Sequence, residues 1–172
     1  MNVDRFAILP ALPPTSPLIL VTGAGGFVGL PLCALLARAG ADVRAAVRRE
    51  SAALAGLGTD PSTDQITRGR LQQVVVGDLA QATDWSAALA GAEAVVHLAA
   101  RVHDLGGSGP ADRDRYRKIN VDATLRLAEA AARARARRLV FVSSAKAGAE
   151  GGKDDPYTGS KTEAERLLGE AS

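Results

Sequence analysis

The chain has 172 residues, a formal net charge of +2 and 47% hydrophobic residues, of which few are aromatic. This length predicts a single domain whose core is built mainly from alanine, leucine and valine. The small net charge argues against a dedicated nucleic-acid-binding protein, and no apolar run approaches the roughly 18 residues of a membrane span. The only cysteine, Cys33, excludes an intramolecular disulfide, and we expect a buried thiol in a reducing, cytoplasmic compartment.

The amino-terminal residues 1–17 contain one early arginine and no sustained apolar stretch. They are a poor signal peptide and are predicted to form an extended lead-in. Residues 18–172 are predicted to form the folded domain. Its first element is an apolar strand ending at Thr22, followed by a cluster of glycines and then by an apolar-periodic segment. This order is typical of a strand, a tight turn and a helix, and it indicates dinucleotide binding.

The glycines of this turn follow the spacing G-x-x-G-x-x-G through Gly23, Gly26 and Gly29. The stricter G-x-G-x-x-G spacing is not met, because Val28 stands at the sixth position counted from Gly23. Glycines let the backbone turn sharply and let a pyrophosphate approach the helix N-terminus. The alternative is an ordinary turn between a strand and a helix.

After this turn, predicted strands and helices alternate along the chain. The predicted helices cover residues 28–39, ended by Gly40, then 84–90, 112–134 and 157–170, with a short one at 51–57. The later strands are predicted at residues 42–48, 71–76, 94–99 and 139–143, and loops at 101–112 and 148–155. We expect strand 94–99 to be wholly buried and Trp85 to be a packing residue. The pattern predicts an α/β fold, a Rossmann-like doubly wound parallel sheet of about five strands with helices on both faces.

Three residues near the end of the chain form a candidate catalytic set. Ser144 follows the fifth predicted strand, and Tyr157 and Lys161 share one face of the last predicted helix. An ammonium near a phenol stabilises the phenolate, which lowers the pKa of the phenol toward working pH. A hydroxyl on Ser144 can bind the same substrate oxygen. These residues predict proton transfer during alcohol oxidation or carbonyl reduction; the alternative is a solvated lysine beside a packed tyrosine.

Taken together, the motifs over residues 18–168 resemble the extended branch of the short-chain dehydrogenase/reductase family, the NAD-dependent epimerases and dehydratases of nucleotide sugars. The resemblance implies that Ser144, Tyr157 and Lys161 are catalytic and that Asn120 props the central helix. It also implies a nucleotide-sugar substrate and a homodimer formed by helices 112–134 and 157–170. The cofactor contacts that it implies are Gly23, Gly26, Phe27, Val28, Gly29, Asp78, Leu79, Ala99, Ala100, Arg101, Asn120 and Lys161.

Two departures from the family pattern bear on function. The segment between Ser144 and Tyr157 is short, and the chain ends soon after Lys161, where relatives continue into a substrate-binding lobe. Because catalysis depends on holding the substrate in a reactive geometry, we expect turnover to suffer more than cofactor binding. An NAD(P)-binding module without turnover, either a redox-sensing regulator or a truncated remnant, is therefore the alternative function.

The choice of cofactor depends on Arg48, at the end of the second predicted strand. An acidic residue there binds the ribose 2′-hydroxyl of NAD, whereas an arginine accommodates the 2′-phosphate of NADP. Arg48 therefore favours NADP over NAD, with a solvated arginine as the alternative. His97 and His103 lack the cysteine or helical carboxylate partners of a metal site. They are predicted to be core and loop histidines, and no metal is expected.

Overall fold

The structure, a computed structural model, describes residues 16–57, 70–102, 110–148 and 155–171. Within these ranges, five strands form one parallel sheet in the order β3-β2-β1-β4-β5. The strands are β1 (Leu18–Thr22), β2 (Asp42–Val47), β3 (Leu71–Val75), β4 (Ala94–His97) and β5 (Arg138–Phe141). This order confirms the predicted Rossmann-like doubly wound fold. After β1, strands β2 and β3 are added on one side of it, and β4 and β5 on the other. The switch point of the strand order therefore lies between β1 and β4.

The helices begin and end at residues that explain their bounds. They are α1 (Gly29–Arg38), α2 (Ala52–Gly56), α3 (Ser86–Leu89), α4 (Pro110–Tyr116), α5 (Ala123–Arg133) and α6 (Pro156–Glu170). Gly40 follows α1 with φ +97°, as predicted for a helix stop. Asp155 accepts a hydrogen bond from the Thr158 amide and so caps the start of α6. Among the described helices, none combines the length and apolarity needed to span a bilayer.

The two faces of the sheet bury separate apolar clusters. One face packs against α3 and α5 through a cluster that includes Leu20, Trp85, Leu89, Val95 and Leu127. The other face packs against α1 and α2 through a cluster that includes Val21, Cys33, Ala37, Val43 and Leu54. Burying one leucine of this kind contributes about 2 kcal/mol to stability. The packing role of Trp85 and the burial of Cys33 are thus confirmed.

The fourth and fifth strands differ from the prediction. β4 ends at His97 rather than at residue 99, and Ala94 and Val96 are only half-buried. It ends there because the Ala99 amide donates to the Thr22 hydroxyl, at 3.2 Å, instead of extending the ladder. β5 ends at Phe141, lies at the edge of the described sheet, and exposes alternate residues because one of its faces is less covered than the other. The expectation of a wholly buried fourth strand is therefore wrong.

The predicted long helix is interrupted. It begins at Pro110, and residues Arg117–Asp122 between α4 and α5 form a π-helical segment. The Ala123 amide there bonds to the Lys118 carbonyl, five residues back. Such segments are rare and often lie near functional sites. The predicted lead-in, most of the predicted loops and His103 fall on residues 1–15, 58–69, 103–109 and 149–154, outside the described residues.

Candidate functional site

A cleft of about 710 Å³ lies at the carboxyl ends of β1, β2, β3 and β4. Ligands of open α/β sheets bind at this position, at the switch point of the strand order. Most residues predicted to contact a cofactor line this one cleft. They are Gly23, Gly26, Phe27, Val28, Gly29, Arg48, Asp78, Leu79, Ala99, Ala100 and Arg101.

The glycine turn forms the wall of the cleft beside β1. Gly23 has φ +67°, and a Cβ on it would lie 2.8 Å from the backbone nitrogen of Ala99. A Cβ on Gly29 would lie 2.2 Å from the Gly23 carbonyl oxygen, whereas one on Gly26 would lie 3.2 Å from that atom. Close approach of backbone segments therefore requires glycine at positions 23 and 29. Gly26 has more room and borders the cleft.

The N-terminus of α1 opens onto this cleft. Val28 is the residue before the helix, and no side chain caps the helix start. Val28 and Gly29 both line the cleft, and the neighbouring Phe27 is 98% exposed. An uncapped helix N-terminus carries a partial positive charge and favours a bound anion. The arrangement can therefore hold a phosphate group beside the glycine turn.

Arg48 and Asp78 line the cleft at the ends of β2 and β3. Arg48 directly follows β2, and its side chain is exposed. One carboxylate oxygen of Asp78 accepts a hydrogen bond from the Ala80 amide at 2.9 Å, which fixes the turn after β3. The carbonyl of Leu79 accepts from Arg126 on α5 at 3.1 Å. This part of the cleft thus offers an anion-binding side chain and a carboxylate held in one orientation.

Asn120 does not line the cleft; it holds the backbone that does. Its side-chain oxygen accepts from the Arg101 amide at 2.8 Å, and its amide group donates to the Arg101 carbonyl at 3.0 Å. The same amide group donates to the Ser160 hydroxyl at 2.9 Å. Asn120 is 1% exposed. It therefore joins the chain after β4 to α6, and its direct contact with a cofactor stays a prediction.

Lys161 is buried behind the end of β5. Its side chain is 2% exposed, and its ammonium donates to the Val142 carbonyl at 2.8 Å. The ammonium also lies 4.3 Å from the centre of the Phe141 ring. Burial lowers the pKa of Lys161 to about 8. The lysine ammonium is thus held by Val142, which directly follows β5 and comes two residues before Ser144.

Ser144 and Tyr157 lie outside the cleft lining, as does Lys161, although all three belong to the described residues. The Tyr157 ring packs edge-on against the Tyr116 ring, with 6.4 Å between their centres. The Ser144 hydroxyl accepts from the Lys146 amide at 3.3 Å. Tyr157 and Lys161 occupy successive turns of α6, as predicted. Their catalytic roles stay predictions.

Thr22 and His97 belong to this region, but neither is a predicted site residue. They pair across β1 and β4, and the Thr22 hydroxyl lies 2.6 Å from the Nδ1 atom of His97. Thr22 also lines the cleft. His97 is a core histidine, as predicted, and is fully buried. A polar residue at the end of each of two apolar strands is the sequence signal that could have paired them.

The parallel sheet, its strand order and the glycine turn define a dinucleotide-binding α/β domain. Residues 19–170 match the NAD dependent epimerase/dehydratase family, and the chain belongs to this family. The resemblance found in the sequence is thereby confirmed.

The chain is also similar to proteins named for different activities. A UDP-glucose 4-epimerase of Vibrio cholerae is 31% identical over 164 residues, which are 87% of this chain and 45% of that protein. A 3-beta-hydroxysteroid dehydrogenase of Mycolicibacterium neoaurum is 30% identical over 167 residues, 87% of this chain and 42% of that protein. The structure of MoeE5 in complex with UDP-glucose and NAD is 34% identical, covers 87% of this chain and 47% of that chain, and has a TM-score of 0.63. The chain thus spans less than half the length of these relatives.

Proposed function

We propose that the chain binds a nicotinamide dinucleotide in the cleft at the carboxyl ends of β1 to β4. The observation that carries this proposal is the uncapped N-terminus of α1, which opens onto the cleft behind a glycine turn. The residues present fit such a group, because Gly26 leaves space beside the helix start for a pyrophosphate. Asp78 would accept a hydrogen bond from the adenine amine, and the segment from Ala99 to Arg101 would contact the remaining part of the cofactor.

For the ribose, Arg48 supports NADP. Its guanidinium is exposed at the edge of the cleft, directly after β2, where it can pair with a 2′-phosphate. Calorimetric titration with NAD and with NADP tests this preference. Arg48→Ala is expected to weaken NADP binding about tenfold or more and to leave NAD binding nearly unchanged. Arg38→Ala, an exposed arginine outside the cleft, is the matched control; a clear preference of the wild type for NAD would contradict the proposed role of Arg48.

We further propose that the family's chemistry on a nucleotide sugar is carried out at Ser144, Tyr157 and Lys161. The 34% identity to MoeE5, whose structure holds UDP-glucose and NAD, supports a nucleotide sugar. The bound nicotinamide would supply a hydride acceptor and donor. Tyr157 would take the proton from a sugar hydroxyl or return it, and the Ser144 hydroxyl would bind the same oxygen. Lys161, cationic below a pKa of about 8, would favour the phenolate.

Turnover of UDP-sugars with NAD and NADP tests this chemistry. Tyr157→Phe keeps the ring and removes only the proton carrier, so a loss of roughly 10²–10⁴-fold is expected. The control is Tyr116→Phe, which removes the other tyrosine hydroxyl, bonded to the Val102 carbonyl, and is expected to retain turnover. Turnover of Tyr157→Phe at the wild-type rate would contradict the assignment. A wild type that binds the cofactor without turnover on any UDP-sugar would identify the chain as a binding module.

A homodimer and a cytoplasmic location accompany this proposal. In the family that the chain resembles, the helices that correspond to α4, α5 and α6 pair across a two-fold axis. Here α6 packs against α4, α5 and the π-helical segment, and a second copy would dock on the sides of these helices that face away from the sheet. Analytical ultracentrifugation over a range of concentrations tests the dimer, and a monomer at all concentrations would contradict it.

A further inference from the structure

His97 is a buried titratable residue that the proposed chemistry does not use. It is 0% exposed, and both of its ring nitrogens have a hydroxyl partner. Its Nδ1 atom lies 2.6 Å from the Thr22 hydroxyl oxygen, and its Nε2 atom lies 2.9 Å from the Thr124 hydroxyl oxygen. These bonds connect β1 and β4 to the first turn of α5.

The proton positions in this series of hydrogen bonds can be worked out from the Thr124 hydroxyl. The Thr124 hydroxyl donates its single proton to the Asn120 carbonyl at 2.8 Å, so its oxygen must accept from Nε2 of His97. Burial first, and the charge of Lys161 second, lower the pKa of His97 to about 3, so the ring is neutral at physiological pH. A neutral imidazole carries one N–H, so Nδ1 must accept the proton of Thr22. The Thr22 oxygen in turn accepts from the Ala99 amide at 3.2 Å.

Both ends of this series of hydrogen bonds lie at the cleft. At one end, Thr22 and Ala99 line it. At the other end, Asn120 fixes the amide and the carbonyl of Arg101, which also lines it. Every hydrogen bond in this series is donated in the same direction, from the Ala99 amide towards the Asn120 carbonyl. The hydrogen bonds are therefore satisfied together by one tautomer of His97, in which Nε2 carries the proton.

We propose that His97 is a positioning residue for the cofactor cleft: as the neutral Nε2–H tautomer, it couples the π-helical segment at Asn120 to the Thr22 hydroxyl and the Ala99 amide. The inference rests on the proposed function only in taking this cleft as the nicotinamide site. The tautomer and the state of the Ala99 amide are properties of the cofactor-free protein.

The ring of His97 also makes an aromatic contact near Lys161. It packs against Phe141 with 5.9 Å between ring centres, and the Lys161 ammonium lies 4.3 Å from the centre of the same Phe141 ring. A protonated His97 would add a second buried cation close to Lys161. A neutral His97 therefore leaves Lys161 as the one buried cation of this pair and avoids repulsion between the two side chains.

The test uses Thr124, which lies outside the cleft lining. Thr124→Val keeps the shape of the side chain but removes both the acceptor for Nε2 and the donor to Asn120, whereas Thr124→Ser, the matched control, keeps the hydroxyl. Nitrogen-15 NMR of the histidine ring is expected to show the Nε2–H tautomer in the wild type and in Thr124→Ser; His103→Asn assigns the resonances. In Thr124→Val, we expect a change of tautomer and a shifted Ala99 amide resonance. Its Kd for the preferred cofactor is expected to rise about tenfold.

Each outcome decides the proposal. An Nδ1–H tautomer or an exchanging mixture in the wild type overturns it, and this result stands even if Thr124→Val does not fold. A folded Thr124→Val that has the wild-type Ala99 resonance and cofactor affinity also overturns it, because the hydroxyl then only fills the core. A wild type that binds neither NAD nor NADP contradicts the proposed function, while the tautomer and the Ala99 response still decide the role of His97.

Discussion

The ammonium of Lys161 lies 4.3 Å from the centre of the Phe141 ring. Lys161 comes from α6 and Phe141 from the last position of β5, so this contact joins the helix to the strand. A cation over an aromatic face gains about 1–2 kcal/mol when it is shielded from water. The contact, with the hydrogen bond to Val142, offsets part of the cost of burying the charge. It holds the lysine in place near Ser144.

This burial makes stability depend on pH above neutrality. The pKa of Lys161 is lowered from 10.5 to about 8 in the folded chain, so between these values the unfolded chain binds more protons. The free energy of unfolding of the wild type, relative to Lys161→Met, is therefore expected to rise with pH between 8 and 10.5, by up to about 3 kcal/mol. Urea unfolding at several pH values measures it. Lys118→Met, at an exposed position, is the control, and parallel pH curves for the wild type and Lys161→Met would contradict the prediction.

Replacing glycines of the turn by alanine is expected to separate fold from ligand binding. In Gly29→Ala, the new Cβ would lie 2.2 Å from the Gly23 carbonyl oxygen, so the backbone must shift, at a cost of about 3 kcal/mol in stability. In Gly26→Ala the distance is 3.2 Å, and a small adjustment suffices. Gly26→Val is expected to keep the fold and to abolish cofactor binding, because its side chain occupies the space of the pyrophosphate. Thermal unfolding and calorimetry distinguish these effects, and unchanged cofactor affinity in Gly26→Val would contradict the site.

The thiol of Cys33 is expected to be unreactive in the folded protein. It lies on the buried face of α1 and is 0% exposed, and burial raises its pKa to about 11, so little of the reactive thiolate forms at pH 8. A disulfide reagent that releases a coloured thiol is expected to react with one equivalent only after unfolding in guanidinium. Because the chain has a single cysteine, the signal has one source. Rapid reaction of the native protein would show that α1 opens easily.

Two side-chain deletions around Asn120 are expected to have graded effects. Asn120→Ala removes the two hydrogen bonds that the Asn120 side chain makes with the half-buried backbone of Arg101, and it is expected to cost about 3 kcal/mol. Ser160→Ala removes one acceptor of Asn120 and a donor to the Tyr157 carbonyl within the same helix, and it is expected to cost about 1 kcal/mol. Urea unfolding measures both. Equal losses in the two variants would mean that the bonds to Arg101 contribute little.

The main features of the fold could be predicted from the sequence because each strand is a short apolar run. The glycine turn after Thr22 and the stop at Gly40 fix where β1 ends and where α1 ends. The strand ends also indicated which edge of the sheet carries the cleft, since the carboxyl ends of parallel strands meet at one edge. Most of the individual contact residues were instead implied by the family resemblance.

The remaining features depend on tertiary contacts that a local pattern does not contain. The π-helical segment spans Arg117–Asp122, too short a stretch to separate its period from that of an α-helix, and its side chains bond to residues near β4. The early end of β4 depends on the Thr22 hydroxyl, which is 77 residues away from the Ala99 amide that it binds. The exposure of Val140 depends on how much of its face of the sheet is covered by other elements, which the local apolar run does not reveal.

The strand order β3-β2-β1-β4-β5 also has a consequence for folding. β1 can pair with β2 early, because only α1 separates them, but its other neighbour, β4, comes much later in the chain. Contacts across such long separations form late, since closing a long loop costs entropy before the contact stabilises it. Thr22 and His97, 75 residues apart, lie at this late-forming contact between β1 and β4. The cleft therefore takes shape only when the two halves of the sheet join, and cofactor binding would favour the completed sheet over partly folded forms.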